Sequence, residues 1–389
     1  MAEEAKQAGE MLSVDSMLAA ASAETGLHDF GDETFREAMT RFVDAHHGLS
    51  ELGVMAVKAD IHRILVNRLR FAEDLKRHPE ILDEDVSDPI VILGMPRTGT
   101  TKLQRLMSAD PDVQRLEYWR VLNPARMPAS DAVQPDPRIA MAQQSIEMIK
   151  QLMPDWMKSH SQDVHEADEE VYLQIFSFKC VMNFMSRPVP NYQAWLRTQS
   201  MNDSYGYMKQ MIQYLQWQDG GKRGRPWIMK SPVHMGEMDL LLKYFPKAAL
   251  VFTHRNLHDV IPSMCSLLEK PWRLHLDHVN KHAVGLACLA DWGTEMRQHM
   301  KLRNSMGSRL NILDVQYEQV KDDSMKVVRQ IYQHAGRELT LQREQAMRTW
   351  ESSHPQHVAG KPDYQLEDFG ISHADIDSYF REYQHRFGA

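Results

Sequence analysis

Apolar residues recur every three or four positions through residues 14–85, most clearly in FREAMTRFVDAHHGL and MAVKADIHRILVNRLRFAEDLKRH. That period lines them along one helix face, so amphipathic helices are expected here. The acidic stretch LDEDVSDP ends the region, and the pattern changes. PIVILG is a short unbroken apolar run, rich in β-branched residues and bounded by Pro and Gly. It reads as a strand buried on both faces. RPWIMKSP, KAALVFTHRN and RLNILDVQYEQV read the same way. Each strand is followed by helical periodicity, in TKLQRLMSAD, HMGEMDLLLKYFP, LHDVIPSMCSLLE and SMKVVRQIYQHAG. Strands alternating with helices predict an α/β protein with a central parallel sheet covered on both faces. Residues 141–217 interrupt the alternation. They are helical in pattern, broken at SRPVPNY, and are expected to cap the sheet. A further long helix is expected over 277–304. The proline-rich residues 124–140 read as loop, and GGKRGRP as a turn.

Charge and cysteine content narrow the function classes. The formal net charge of the 389 residues is -8, so no global basic field draws the chain onto nucleic acid. No apolar run approaches the roughly 18 residues of a membrane span. The N-terminal stretch MAEEAKQAGEMLSV is polar and acidic, unlike a secretory signal. Cys180, Cys265 and Cys288 are too far apart for a zinc pattern or a disulfide framework. A cytoplasmic setting is the expectation.

The chemistry concentrates where strands end. In open parallel sheets, ligands bind beyond the C-terminal ends of the strands. The four ends here carry Arg97-Thr98-Gly99-Thr100-Thr101, then Lys230 and Ser231, then His254, Arg255 and Asn256, then Tyr317 and Glu318. Three cations at one edge point to an anionic ligand. The stretch VILGMPRTGTTKL is close to a nucleotide-hydrolase phosphate loop, but Thr100 stands where that loop needs Lys. A magnesium-dependent enzyme also wants a carboxylate at a neighbouring strand end, and ALVFTHRN ends in His-Arg. Both departures favour phosphate held without a metal.

These residues resemble the sulfotransferases that use 3′-phosphoadenosine 5′-phosphosulfate. GMPRTGTT is similar to their 5′-phosphosulfate loop. THRNLHDVIPSM is similar to their 3′-phosphate motif, an Arg at a strand end with a Ser eight positions later, and VQYEQV to the segment near the adenine. TGLHDFGDETF, WIMKSPVHM and YQLEDFGIS fit one bacterial branch, so the likeness runs nearly the whole length. The resemblance implies a P-loop-like three-layer α/β/α fold. The expected organisation is an N-terminal helical segment, 1–88, packed on a sulfotransferase domain, 89–389, that carries the cap. It implies transfer of SO3 to a hydroxyl or amine, leaving adenosine 3′,5′-bisphosphate, with no metal. Pro96, Arg97, Thr98, Gly99, Thr100 and Thr101 are then expected on the phosphosulfate, Arg255 and Ser263 on the 3′-phosphate, and Tyr317 near adenine. Arg97 would neutralise charge on the bridging oxygen as it leaves, and Lys230 is expected in the catalytic site.

Two departures from the family pattern stand out. Lys102 occupies the position where some relatives stack adenine on Trp. The nearest likeness to a closing Arg-Lys-Gly segment is Gly360-Lys361. The general base is left open. Many cytosolic relatives place His two residues beyond the Lys corresponding to Lys230, but Pro232 stands there, and the nearest His is His234. The cap segment DVHEADEEVYL offers His165, Glu169 and Glu170, and Glu117 is a further candidate. The acceptor is expected to be a small or lipid-like molecule. Trp156, Phe176, Phe178, Phe184, Tyr192 and Trp195 either line its pocket or fill the core. The competing readings are a P-loop kinase for a small molecule and a nucleotide-binding protein without catalysis. The sequence is silent on oligomeric state.

Overall fold

The computed structural model describes residues 12–128, 133–354 and 364–389. Five parallel strands form one sheet: β1 Ile90–Gly94, β2 Gln114–Arg115, β3 Trp227–Lys230, β4 Ala249–His254 and β5 Ile312–Gln316, in the order β2-β3-β1-β4-β5. β1 lies at the centre, with Ile90 aligned to Ile228 on one side and Ala249 on the other. The four expected strands are present. β2 is additional, and its two residues are too few to carry a periodic signal.

Successive side chains of a strand face opposite sides, and β1 divides the core accordingly. Val91 and Leu93 join the larger core with Leu250, Phe252 and Met229. Ile90 and Ile92 join a smaller one with Ile228, Val251, Leu103 and Met107. The result is a three-layer α/β/α arrangement with unequal layers. On the smaller side, helix α4, Thr100–Ser108, follows β1. The larger side carries α1 Val14–Thr25, α2 Phe35–Asp44 and α3 Glu51–Arg77, whose apolar faces are continuous with the sheet's core.

The cap begins with α5, Pro137–Leu152, and α6, Pro154–Ser159. A 3-10 turn follows over Glu170–Ser177, and the cap ends with α7, Asn202–Gln218. The helix expected after β3 starts instead as a 3-10 turn, Val233–Gly236, before α8, Met238–Tyr244. Two long helices complete the larger layer: α9, Leu257–His275, and α10, Lys281–Met306. Helix α3 meets the far end of α9 closely. Ser50 caps α3 through Gly53 N–H at 3.0 Å and donates its own N–H to His275 O at 2.9 Å. A Cβ on Gly53 would lie 2.5 Å from that same oxygen, so only glycine allows the approach. No helix among the described residues is long and apolar enough to cross a membrane.

Helices α4 and α9 leave β1 and β4 on opposite faces of the sheet. Such a divergence opens a crevice at the strands' C-terminal ends, where ligands of α/β sheets bind.

Candidate active site

The loop after β1 is shaped by backbone conformations that few residues tolerate. Gly94 has φ 134°. A Cβ there would lie 2.4 Å from Thr253 Oγ1 and 2.7 Å from Thr253 O. Thr98 Oγ1 donates to Met95 O at 2.6 Å and pairs with Thr253 Oγ1 at 2.6 Å, tying the loop to β4. Arg97 has φ 72°, a left-handed conformation that costs a non-glycine residue about 1–3 kcal/mol and clusters at functional sites. Gly99, at φ 87°, opens α4, and a Cβ on it would meet the Tyr317 ring at 3.1 Å. Left-handed residues at the start of a helix turn backbone N–H groups toward a common point, the geometry of an anion cradle.

Two cavities meet at this loop. One, of about 190 Å³, is bordered by Arg97, Gly99, Thr100, Thr101, Lys102, Arg255 and Tyr317. The Arg255 Nη1 donates to Arg97 O at 2.8 Å, and its guanidinium stands 4.2 Å over the Tyr317 ring. Its Nε is buried and meets no acceptor among the described residues. The Lys102 ammonium is paired with Glu351 at 2.9 Å. The other cavity, of about 330 Å³, shares Arg97, Thr100 and Thr101 with the first and also borders Pro96. Its walls are largely apolar, with Trp156, Tyr172, Ile175, Met182, Met185, Leu268 and Trp292.

Glu169 and Lys230 stand at the second cavity's edge as a close ion pair. Burial pushes the Glu169 carboxyl up, and the Lys230 charge only partly offsets it. His160 borders the same cavity. Burial drives its imidazole down to about 4, with Asp168 opposing and Lys230 and Arg105 adding to the fall. Arg97 Nε donates to Ser263 Oγ at 3.0 Å and its Nη1 to Ser159 O at 2.8 Å, so the end of α6 closes over the guanidinium.

The expected site residues divide into those that meet and those that do not. Pro96, Arg97, Thr100, Thr101, Gly99, Arg255, Tyr317 and Lys230 border the two cavities. Thr98 is buried beneath the loop and braces it. Ser263 contacts Arg97 rather than the cavity wall beside Arg255. The base candidates separate further. Glu169 is extended, at φ -82° and ψ 127°, and Glu170 opens the 3-10 turn, so the two neighbours face different surroundings. Glu170 turns inward, accepting the Lys230 backbone N–H at 2.7 Å and meeting His234 Nε2 at 2.8 Å. His234 is buried and lies 2.7 Å from Tyr205 OH through Nδ1. His165 has its side chain 60% exposed, 4.0 Å from Glu117. Glu117 holds Trp119 Nε1 at 2.8 Å and Arg115 at 3.1 Å. His165, Glu170, His234 and Glu117 border neither cavity. Gly360-Lys361 falls outside the described residues.

Of the cap aromatics, Trp156 lines the second cavity, whereas Phe176, Phe178 and Tyr192 are core and Trp195 packs against it. Sequence reasoning missed His160, and missed Asp60, Arg63 and Arg187, which also border the cavity. Asp60 and Arg63 look in sequence like an ordinary surface pair one helical turn apart. Only the packing of α3 beside the cap brings them to a cavity.

The sulfotransferase family model matches residues 89–341. No curated protein matches the chain. Among solved structures, the sulfotransferase STF9 from Mycobacterium avium is 27% identical, with a TM-score of 0.84 over 97% of each chain. The sulfotransferase STF1 from Mycobacterium tuberculosis H37Rv is also 27% identical, with a TM-score of 0.82 over 95% of this chain and 98% of its own. The chain belongs to the sulfotransferase family, and it is an enzyme of the sulfuryl-transfer class.

Proposed function

We propose that the smaller cavity takes the nucleotide of 3′-phosphoadenosine 5′-phosphosulfate, and that the larger one takes a small hydroxylated or amine acceptor, with metal-independent transfer between them. The observation that carries this reading is the sharing of Arg97, Thr100 and Thr101 by the two cavities. Two reactants entering from opposite sides would meet at one loop. The residues fit the donor. Arg97 and Gly99, both left-handed, border the smaller cavity, and Arg255 keeps a buried donor without a partner among the described residues. When bound, the donor supplies a sulfur whose bond to the 5′-phosphate oxygen breaks as the acceptor oxygen bonds to it.

The rest is done by the chain's own groups. The loop's backbone N–H groups and the Thr100 and Thr101 hydroxyls orient the 5′ end. Arg255 holds the 3′-phosphate, with Tyr317 stacked beneath its guanidinium. Arg97 neutralises charge on the oxygen that leaves, where stabilisation counts most. Glu169 takes the acceptor's proton, and Lys230 holds that carboxylate in place. A base works best when its pKa lies near the working pH. Glu169 is moved up toward neutrality, whereas His160 is moved down to about 4, which favours Glu169. The apolar wall of the cap excludes water from the transfer.

The test is ligand-dependent thermal stability. A ligand bound only by the native state raises the unfolding temperature. Adenosine 3′,5′-bisphosphate without metal is expected to stabilise the protein more than ATP with magnesium. Equal or greater stabilisation by magnesium-ATP would favour the kinase reading instead.

A further inference from the structure

Beyond the sulfuryl-transfer edge, the larger cavity borders a second polar group of residues. Asp60 and Arg63 come from α3, and Arg187 from the segment after the short helix Met182–Met185. Asp60 accepts from Arg63 Nη2 at 2.6 Å through Oδ1 and from Arg187 Nη2 at 3.2 Å through Oδ2. Both carboxylate oxygens are thus engaged. Arg187 Nη1 is buried and meets no acceptor among the described residues, although its side chain is only 9% exposed. A buried guanidinium donor without a partner costs free energy unless an oxygen reaches it.

The charge balance is one carboxylate against two guanidinium groups. The nearby imidazoles add no positive charge. Burial, and then the Arg187 charge, lower His46 to about 4 and His275 to about 3. The group therefore carries an excess positive charge and an unfilled donor.

Helix α9 serves as a ruler. Ser263, near its start, touches Arg97. Trp272 donates Nε1 to Met185 O at 3.3 Å, which fixes the segment carrying Arg187 beside the later turns. Nine residues at 1.5 Å each separate the two contacts by about 14 Å along the axis. Leu267, Leu268 and Pro271 line the cavity between them.

We propose that the acceptor is an elongated amphipathic molecule with its hydroxyl at Glu169 and a carboxylate at the opposite end, selected by Arg187. An amine at that end is disfavoured, because the Asp60 oxygens are already filled and the free group is a donor. This inference rests on the donor and acceptor assignment above and extends it to substrate class.

The experiment uses the full-length enzyme and ω-hydroxy fatty acids of graded chain length. The methyl esters and the corresponding ω-hydroxy amines serve as matched series. Binding is followed by quenching of the cavity tryptophans, and transfer by mass gain of SO3. The expected order is acid, then ester, then amine, in both binding and kcat/KM. Arg187→Ala is expected to raise the acid's KM about tenfold to hundredfold and to bring the acid-to-ester ratio near unity. Arg187→Lys keeps the charge and is expected to retain part of the preference. The wild-type ranking needs no variant, so a poorly folding Arg187→Ala leaves a decisive readout. Equal binding of acid and ester by the wild type, or no saturable binding of any acid, overturns the proposal. Failure of adenosine 3′,5′-bisphosphate to stabilise the protein would instead overturn the donor assignment, so the two failures are distinct.

Discussion

The two cavities meet at Arg97 but are built in different ways. The donor-side cavity is bordered mostly by one contiguous stretch, residues 97–102, with Arg255 and Tyr317 closing it from the ends of β4 and β5. The acceptor-side cavity draws on α3, α5, α6, the 3-10 turn, β3, α9 and α10. Its walls are side chains, whereas the donor loop depends on backbone turns at Gly94, Arg97 and Gly99. A donor of fixed chemistry can be gripped by fixed backbone geometry. A wall of side chains can be altered residue by residue without touching that grip.

The strongest way to sharpen this contrast is at the point of transfer. Glu169→Gln removes the base and leaves the donor loop intact. Turnover is expected to fall about 10²- to 10⁴-fold, with little change in the affinity for adenosine 3′,5′-bisphosphate. The pH dependence follows from the sign of the shift. A base acts only when ionised, and burial raises the Glu169 pKa. The wild-type kcat should therefore rise with pH through a limb above the ordinary glutamate range and then level off. That limb should vanish in Glu169→Gln. An unchanged profile would place the base elsewhere.

Next in size is the division between Arg97 and Arg255. Arg97→Ala should lower turnover about 10²- to 10³-fold, as for loss of a group that meets charge developing in the transition state. Arg255→Ala should instead weaken adenosine 3′,5′-bisphosphate by about 1.5–3 kcal/mol, the range for a hydrogen bond to a charged group. Calorimetric titration and steady-state kinetics on both variants separate the two effects. If the 3′-dephosphorylated nucleotide lost as much affinity as the bisphosphate in Arg255→Ala, Arg255 would not be reading the 3′-phosphate.

The same contrast explains what the sequence made legible. Arg97, Gly99, Thr100 and Thr101 lie within five positions, so local spacing alone marks them, and the structure sets them around one cavity. The four longer strands announced themselves as apolar runs. The acceptor wall offered no such signal, because Asp60, Arg187 and Trp292 are distant in sequence and meet only through helix packing. Glu169 and Glu170 show the limit most clearly. They are neighbours of identical chemistry, and the change from extended backbone at Glu169 to a 3-10 turn at Glu170, which periodicity could not locate, sends one to the cavity and the other to His234.

That pair supplies the next test. Glu170 uses both oxygens on buried donors, the Lys230 N–H and His234. Glu170→Gln sets an amide N–H against one of them, which should cost about 1–3 kcal/mol of stability. Measured well below the unfolding temperature, turnover should survive far better than in Glu169→Gln. A folded Glu170→Gln protein with collapsed turnover would exchange the roles of the two glutamates.

The smallest effect is expected at Lys102, and it bears on how far the donor grip extends. Lys102 borders the donor-side cavity, but its ammonium is held by Glu351 at 2.9 Å, with the two side chains 20% and 30% exposed. Partly solvated pairs of this kind contribute roughly 0–1 kcal/mol. Lys102→Ala should therefore shift stability only slightly, and should weaken adenosine 3′,5′-bisphosphate by no more than about 1 kcal/mol through loss of a screened nearby charge. The residual effect should shrink as ionic strength rises, whereas the Arg255 contact, being partly buried, should resist salt. Titrations of both variants at low and high salt make the comparison. If Lys102→Ala matched Arg255→Ala in lost affinity and kept that loss at high salt, Lys102 would have to leave Glu351 and bind the nucleotide directly. The donor grip would then rest on a mobile side chain as well as on the loop, and the contrast between a backbone-built cavity and a side-chain-built one would no longer hold.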